Sequence, residues 1–152
     1  GHDTIVRMLL KAGAGVGDEF DYDCWTALHF AAKHGHASVV RILMNAGADE
    51  TAETMAGCTA LHLACQEGRD DVARVLLDLG SRAWARDEAS FTPLHWAAYG
   101  GHEGVVGTLL RRGGADVAAE TDSGCTALHF ASEKGHAVVV GMLLAAGADV
   151  AA

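Results

Sequence analysis

Apolar residues recur along the chain as a double pair, in which two apolar neighbours are followed, after a gap of two residues, by two more. The double pairs are Val39-Val40 with Leu43-Met44, Val72-Ala73 with Leu76-Leu77, Val105-Val106 with Leu109-Leu110, and Val139-Val140 with Leu143-Leu144. A T-x-L-H motif keeps step with them at Thr26, Thr59, Thr92 and Thr126, with spacings of 33, 33 and 34 residues. Self-similarity at such a period is typical of stacked repeats. The pattern predicts four full units, preceded by the second half of an earlier one at Ile5-Val6 and Leu9-Leu10.

Each unit has the pattern of two short helices joined by a turn. In the first unit Leu28, Ala31 and Ala32 lie at i, i+3 and i+4, on one face of a helix that Thr26 can cap. The second helix contains the apolar double pair and ends before Gly47, a residue suited to the left-handed position after a helix. Residues 48–58 lack helical spacing and predict an extended connection. Because two short helices cannot bury both apolar faces alone, the units are expected to stack as a solenoid.

These residues resemble the ankyrin repeat, whose pattern runs roughly D-x-x-G-x-T-P-L-H-x-A-A-x-x-G-H-x-x-V-V-x-x-L-L-x-x-G-A-D. The best local matches are Thr92-Pro93-Leu94-His95 with Gly101-His102, and Thr126 to His129 with Gly135-His136 and Gly147-Ala148-Asp149. The resemblance covers nearly the whole chain. It implies an all-α fold with short β-hairpin-like fingers, an ankyrin repeat α-solenoid of stacked helix-turn-helix units whose fingers project toward a concave face.

The resemblance also implies one domain. A single ankyrin repeat domain is expected over 1–152, with a partial repeat at 1–20 and full repeats at 21–53, 54–86, 87–120 and 121–152. The second of these full repeats departs most from the pattern, because Arg69 stands where the others place histidine after the turn glycine. Extra residues within 111–114 and within 15–23 are expected to bulge outward without breaking the stack. Alanine replaces the family's proline at three of the four helix starts and should loosen them slightly.

Composition and charge limit the classes of function. The 152 residues are 50% hydrophobic, which suits one folded domain, and no run of apolar residues is long enough to cross a bilayer. Eleven Lys and Arg against 20 Asp and Glu give a net charge of −9, which disfavours nucleic acid and anionic membranes and favours a basic protein partner. The four cysteines form no C-x-x-C pair and no leader opens the chain, so we expect reduced thiols in the cytoplasm, with the nucleus left open.

The nine histidines invite a metal or catalytic hypothesis, but eight of them fall at positions set by the repeat. The resemblance implies that the motif histidines form hydrogen bonds locally and to the next unit, a structural role. His34 alone lies outside the pattern, where it can contact a partner or simply face solvent. No hydrolase, nucleotide-binding or zinc-protease motif occurs. The sequence therefore predicts no enzyme and no catalytic, cofactor or metal site.

The residues that the repeat pattern does not require are the candidates for binding a partner. The resemblance implies that their columns, on the fingers and first helices, line the concave groove where members of the family usually hold partners. They are Tyr22, Asp23, Trp25, Lys33, His34, Met55, Gln66, Glu88, Phe91, Trp96, Tyr99, Asp122 and Glu133.

Aromatic residues stand out among these candidates. Trp25 and Phe91 occupy the same column two units apart, and aromatic side chains often anchor protein interfaces. Trp96 lies in a column of large apolar residues, so either packing between units or contact with a partner fits it. Trp84, in the base of a finger, is a further candidate for an exposed aromatic.

The predicted fingers are acidic. Thirteen of the 20 acids fall in these segments: Asp18, Glu19, Asp21, Asp23, Asp49, Glu50, Glu53, Asp87, Glu88, Asp116, Glu120, Asp122 and Asp149. Arg82 and Arg86 are the bases in them. Such a rim would speed encounter with a basic peptide or domain, although surface acids also serve solubility alone.

The sequence thus predicts a non-catalytic module that binds another protein through its concave finger and first-helix face. The alternative is a structural or regulatory ankyrin segment of a larger multidomain protein of the channel, kinase or ubiquitin ligase type. Further repeats, or self-association through the apolar ends of the array, would fit this alternative.

Overall fold

The computed structural model describes residues 2–18 and 23–149, which contain nine α-helices, one π-helical turn and no β-strand. The α-helices are α1 (Asp3–Lys11), α2 (Ala27–Lys33), α3 (Ala37–Asn45), α4 (Ala60–Gln66), α5 (Asp70–Asp78), α6 (Pro93–Tyr99), α7 (Glu103–Thr108), α8 (Ala127–Glu133) and α9 (Ala137–Ala145). In this part of the chain no helix has the length and apolarity needed to cross a membrane. The predicted helix-turn-helix units are confirmed, with α1 as the second helix of the partial repeat.

The helices form two layers. The first helices α2, α4, α6 and α8 pack on one another in chain order, and α1, α3, α5, α7 and α9 form the second layer beside them. The first helices approach closely because each contributes a fully buried small residue: Ala32, Ala64, Ala97 and Ala131. The second helices fill the space between layers with four equivalent buried leucines, Leu43, Leu76, Leu109 and Leu143. This packing confirms the predicted all-α solenoid.

A threonine begins every first helix, as predicted. Thr26, Thr59, Thr92 and Thr126 have extended backbone and form a capping box with the histidine three residues later. Histidine takes the place that Glu or Gln usually holds in this motif. In the second full unit the Nδ1 atom of His62 accepts a hydrogen bond from the backbone N–H of Thr59 at 3.1 Å. Since Nδ1 accepts, it carries no proton, and Nε2 must carry it instead.

The protonated Nε2 links each first helix to the connection that leads into the next unit. His29 donates to the carbonyl of Ala52 at 3.0 Å, and His95 donates to the carbonyl of Ala119 at 2.9 Å. His62 reaches two carbonyls, those of Ala85 at 3.1 Å and Phe91 at 3.2 Å. These bonds confirm the structural role that the resemblance implies. In the last unit His129 is exposed, and among the described residues its Nε2 has no bond to a following finger.

A second series of hydrogen bonds joins the turns between helices. The side chain that precedes each second helix donates to the carbonyl near the end of the preceding unit's first helix. The donors and acceptors are His102 Nε2 to Gln66 at 3.0 Å, His136 Nε2 to Tyr99 at 3.1 Å, and Arg69 Nε to Lys33 at 3.0 Å. Arg69 therefore makes the same contact as the histidines, and the second full unit continues the stack without a local break.

The fingers are tight turns rather than paired strands. Each is closed by a short polar residue, as where the backbone N–H of Cys58 donates to Thr54 Oγ1 at 3.2 Å. Neighbouring fingers share one backbone hydrogen bond: Met55 N–H to Asp23 at 2.9 Å, Glu88 N–H to Ala56 at 3.1 Å, and Asp122 N–H to Ala89 at 3.3 Å. One bond per pair is too few for a strand ladder, so the predicted β-hairpin-like shape reduces to turns in the described residues.

The extra residue expected within 111–114 does not bulge out as a loop. It is absorbed where α7 continues into a π-helical turn, Leu109–Gly113, and Gly114 ends the helix with a left-handed φ of 59°. A π-helical turn accommodates a surplus residue by widening the helix while keeping its backbone hydrogen-bonded. Leu109 therefore stays fully buried. The other insertion, within 15–23, lies partly outside the described residues.

Candidate functional site

Six of the predicted partner-binding residues line one cavity of about 470 Å³. The cavity lies on the surface formed by the fingers and the outward sides of α2, α4, α6 and α8, which we call the finger face. Its walls are Asp23, Trp25, Lys33, Thr54, Met55, Ala56, Cys58, Leu63, Gln66 and Trp96. Three successive units contribute, so the fold brings together residues that are up to 73 positions apart in the sequence.

The cavity exists because the second full unit carries smaller side chains than its neighbours. In the column before the motif threonine, Cys58 stands between Trp25 and Phe91 of the adjacent units. In the column after the motif histidine, Leu63 stands between Phe30 and Trp96. The same backbone positions thus hold large aromatic rings on both sides and small groups in the middle. The result is a notch in the finger face, floored by Leu63 and Cys58 and flanked by the two indoles.

Trp25 forms one side of this notch. Its ring centroid lies 5.0 Å from that of Phe30 and 6.0 Å from that of His29. The ammonium group of Lys33 lies over the same indole, 5.2 Å from the centroid, in the geometry of a cation–π contact. Phe30 and Lys33 are three residues apart on α2 and so project on the same side.

Trp96 forms the other side and is held in place by a buried carboxylate. Its indole N–H donates to Asp87 Oδ2 at 3.0 Å, while Asp87 Oδ1 accepts from the backbone N–H groups of Ala89 at 3.0 Å and Phe91 at 2.9 Å. One carboxylate therefore fixes both the finger turn and the ring. Trp96 is half-buried, packing against Phe91 at 4.9 Å while its remaining surface lines the cavity. Trp96 therefore packs against the neighbouring finger and also lines the cavity.

Beyond Trp96 the finger face continues as an aromatic cluster. Phe91 and Phe130 have centroids 4.9 Å apart, and Tyr99 lies 6.2 Å from Phe130. Lys134 Nζ lies 4.5 Å from the Tyr99 centroid, so a second lysine covers an aromatic ring of this face. The predicted candidates Phe91, Trp96 and Tyr99 are thus brought together.

The three remaining acidic candidates lie along the rim. Glu88, Asp122 and Glu133 are exposed. Asp122 accepts a hydrogen bond from Ser90 Oγ at 2.6 Å, and Glu133 pairs with Lys134 at 3.0 Å.

His34 belongs neither to the cavity nor to the aromatic cluster. His34 lies at the end of α2, with its ring 6.3 Å from that of His36, and lines a different apolar cavity together with Val6 and Phe30. Tyr22 lies outside the described residues. Trp84, the further exposed aromatic expected from the sequence, is 61% exposed and lines a separate cavity of about 170 Å³.

The buried motif histidines and the Cys58 thiol are held in neutral forms. Burial lowers the pKa of His29, His62 and His95, which favours the neutral ring that the hydrogen bonds require. Burial, reinforced by the nearby Asp87 carboxylate, raises the pKa of Cys58 to about 11. A thiol in this state is a poor nucleophile. No group of three metal-ligating side chains is arranged around a common point in 2–18 and 23–149.

Basic side chains have different partners in the second helices and in the fingers. Basic side chains of the second helices pair with acids of the same layer, as in Arg74 with Asp70 at 2.7 Å and Arg112 with Asp78 at 2.5 Å. In the fingers, Arg86 donates to the backbone carbonyl of Glu120 at 2.8 Å rather than to a carboxylate.

Sequence reasoning missed the role of Asp87. Its acidic character is evident, but its burial and its bond to Trp96 are not. The available signal was the column itself, because Asp87 aligns with Thr54 and Thr121, which also close their turns. The smaller residues of the second unit, Cys58 and Leu63, were equally visible in their columns and predict the notch once the units are known to stack.

Comparison with known proteins agrees with the fold. Over 52 residues the chain is 36% identical to ankyrin repeat domain-containing protein 40 of Homo sapiens, a match that covers 34% of this chain and 14% of that protein. Over 53 residues it is 42% identical to ankyrin repeat, SAM and basic leucine zipper domain-containing protein 1 of Echinops telfairi, covering 35% of this chain and 11% of that protein. The chain thus matches only a small part of the length of these relatives. A family model described as ankyrin repeats (3 copies) matches residues 1–87 and 80–152, and the chain belongs to the ankyrin repeat family.

Proposed function

We propose that this chain is a non-catalytic module that binds a basic peptide or domain of another protein through the finger face. Ankyrin repeats are generally protein–protein interaction modules and generally lack catalytic activity. The observation that carries the proposal is the cavity of about 470 Å³, where six residues not required by the repeat meet. A preformed cavity with aromatic walls limits the ordering cost of association, and its anchors are of the type that dominates binding energy.

The experiment compares partner capture from a cell lysate by the unmodified chain and by a Trp25→Ala, Phe91→Ala double variant. The same column holds cysteine at Cys58 and Cys125, so small side chains fit there and the helices should remain intact by circular dichroism. We expect capture to be lost. The matched control is Trp84→Ala, which removes an exposed indole outside the cavity and should leave capture unchanged. Capture that survives the double variant would rule out the finger face as the binding surface.

Binding to a basic partner also predicts a dependence on salt. Exposed acids along the fingers are screened as ionic strength rises, so association should slow between low and high salt. An association rate that does not change with salt would exclude the proposed charge attraction and leave the shape of the notch as the basis of binding. Action in the cytoplasm belongs to the same proposal, because the buried thiols Cys58 and Cys65 suit a reducing compartment.

A second candidate function is a structural or regulatory segment of a larger protein. It is favoured by the matches, which cover 14% and 11% of the relatives' lengths. Under this function, substitutions in the notch would leave capture unchanged. Self-association is a related possibility, because Ile5 and Leu9 of α1 and Val138 and Leu144 of α9 are exposed. Light scattering over a concentration series tests it, and a constant monomer mass would exclude it.

A further inference from the structure

We propose that the notch is a subsite for one arginine side chain of the partner, and that Lys33 occupies this subsite in the unbound protein. The inference rests on the proposed function and goes one step further, because it names the anchor. It follows from three features of the notch: its indole walls, the acceptors at its rim, and the cation already lying within it.

The walls suit a flat cation. Trp25 and Trp96 flank a cavity whose floor is apolar, formed by Leu63 and Cys58. Trp is the best aromatic partner for a cation, and the guanidinium group is planar, stacks on aromatic faces and is less strongly hydrated than an ammonium group. An arginine can therefore lay its apolar stem over Leu63 and its head against an indole at little desolvation cost.

The rim supplies negative charge and hydrogen-bond acceptors. Asp23 lines the cavity with an exposed carboxylate, and Gln66 lines it with an exposed amide. Behind the wall, the buried Asp87 carboxylate bonds Trp96 and adds negative charge to that side. An apolar anchor would gain nothing from these groups, whereas the five N–H donors of a guanidinium match acceptors on more than one side.

A cation already lies in the notch. Lys33 Nζ is 5.2 Å from the Trp25 centroid, and Lys33 itself lines the cavity. The position thus holds a positive charge within the chain, and an incoming arginine must displace that charge. Lys33 acts as an internal competitor that sets how tightly the subsite binds.

The probe is the tripeptide Ac-Gly-Arg-Gly-NH2, compared with the same peptide carrying citrulline or leucine in place of arginine. Citrulline has the shape of arginine without its charge, and leucine tests an apolar anchor. Binding is followed by NMR of ¹⁵N-labelled indole groups, because the chain has three tryptophans and Trp84 lies outside the notch. Trp84 is therefore an internal control for non-specific effects.

We expect the arginine peptide to shift the indole signals of Trp25 and Trp96 in a saturable manner, with a dissociation constant on the order of 1 mM for so small a ligand. The citrulline peptide should bind at least about ten-fold more weakly. Lys33→Met should tighten binding of arginine about five-fold by removing a like charge. Lys134→Met is the matched control, because that lysine covers Tyr99 outside the cavity, and it should change nothing.

Three results would overturn the inference. They are equal binding of the citrulline or leucine peptide, equal shifts at all three indoles, and an unchanged affinity in Lys33→Met. Trp96→Leu, which copies Leu63 of the neighbouring unit, must lose the arginine-induced shift at Trp25 while keeping its helical content. The result can be separated from the fate of the proposed function. If the Trp25→Ala, Phe91→Ala variant loses partner capture but no arginine binding is seen, the binding face stands and only the arginine subsite falls.

Discussion

The coupling between neighbouring units through the motif histidine can be measured by comparing His62→Ala with His129→Ala. Both histidines cap their own helix through Nδ1, with Nδ1 accepting from the threonine N–H at 3.1 Å in each case. They differ at Nε2. His62 donates to Ala85 and Phe91 of the next finger and is 1% exposed, whereas His129 is exposed and makes no such bond within the described residues. The comparison therefore measures what the Nε2 bonds and the burial of the ring add to the cap.

The size of the difference follows from the groups left without partners. Loss of the cap costs about 1 kcal/mol in either variant. In His62→Ala the buried carbonyls also lose their donor, at about 1–3 kcal/mol, and an emptied volume adds to this. We expect His62→Ala to lower the free energy of unfolding by about 3–5 kcal/mol, and His129→Ala by about 1 kcal/mol.

The assay is urea unfolding at pH 7.5, followed by circular dichroism at 222 nm and by tryptophan fluorescence. Coincident transitions from the two probes would show that the stack unfolds as one unit, which the comparison of free energies requires. Equal losses in the two variants would refute the argument, because the capping contact alone would then account for the role of the histidine. So would a loss in His62→Ala below about 1.5 kcal/mol, less than the lost cap and one orphaned buried group should cost together.

Three further predictions concern the same framework. Because burial lowers the pKa of the three buried motif histidines below 6.5, the unfolded chain binds more protons in acid, so stability is full above about pH 6.5 and falls as the pH drops toward 5.5. The slope is at most about 1.4 kcal/mol per pH unit for each histidine, and urea midpoints that stay level or rise would contradict it. Gly57 and Gly124 share a left-handed φ, 72° and 74°, but a Cβ on Gly57 would lie 2.7 Å from the Glu88 backbone nitrogen, whereas one on Gly124 would meet nothing within 4 Å. Gly124→Ala should cost about 1 kcal/mol in urea unfolding and Gly57→Ala about 1–3 kcal/mol more, and equal costs would show that the fingers yield freely. With a pKa of about 11, the thiol of Cys58 should react with iodoacetamide at pH 8 at least about ten-fold more slowly than the half-buried Cys125, as measured by mass spectrometry of the folded protein, and similar rates would show that the finger opens.

The fold could be predicted because each unit repeats the same helix start, turn glycine and apolar pairs. A single helix start such as Thr59 is weak information, but four copies in phase fix the helices, the turns and the order of packing. The same repetition marks Arg69 as a departure from the pattern. Its difference from histidine is visible in the sequence, whereas its reach to the carbonyl of Lys33 depends on the distance between turns, which only the stacked structure supplies.

The candidate site was predictable as a set of columns and not as a cavity. The columns placed Trp25, Met55 and Trp96 on one face, and the structure brings them together. The notch in that face arises because Cys58 and Leu63 are smaller than the residues in the same columns of the neighbouring units. No sequence motif marks a cavity of this kind. The buried carboxylate of Asp87 was hidden for a different reason, because a pattern of acids cannot show which of them is withdrawn from water.

The π-helical turn after α7 has a consequence for how the molecule tolerates changes in length. The step from Thr92 to Thr126 is one residue longer than the others, yet α8 still packs on α6 as α6 packs on α4. The extra residue is accommodated in the layer of second helices, so the spacing of the first helices and fingers stays the same. The finger at Gly57 has no such slack, since a Cβ there would lie 2.7 Å from the backbone nitrogen of Glu88 in the next finger. The layer of second helices can thus absorb a change in length, whereas the finger at Gly57 cannot. Insertions meant to leave the finger face intact belong next to Gly114.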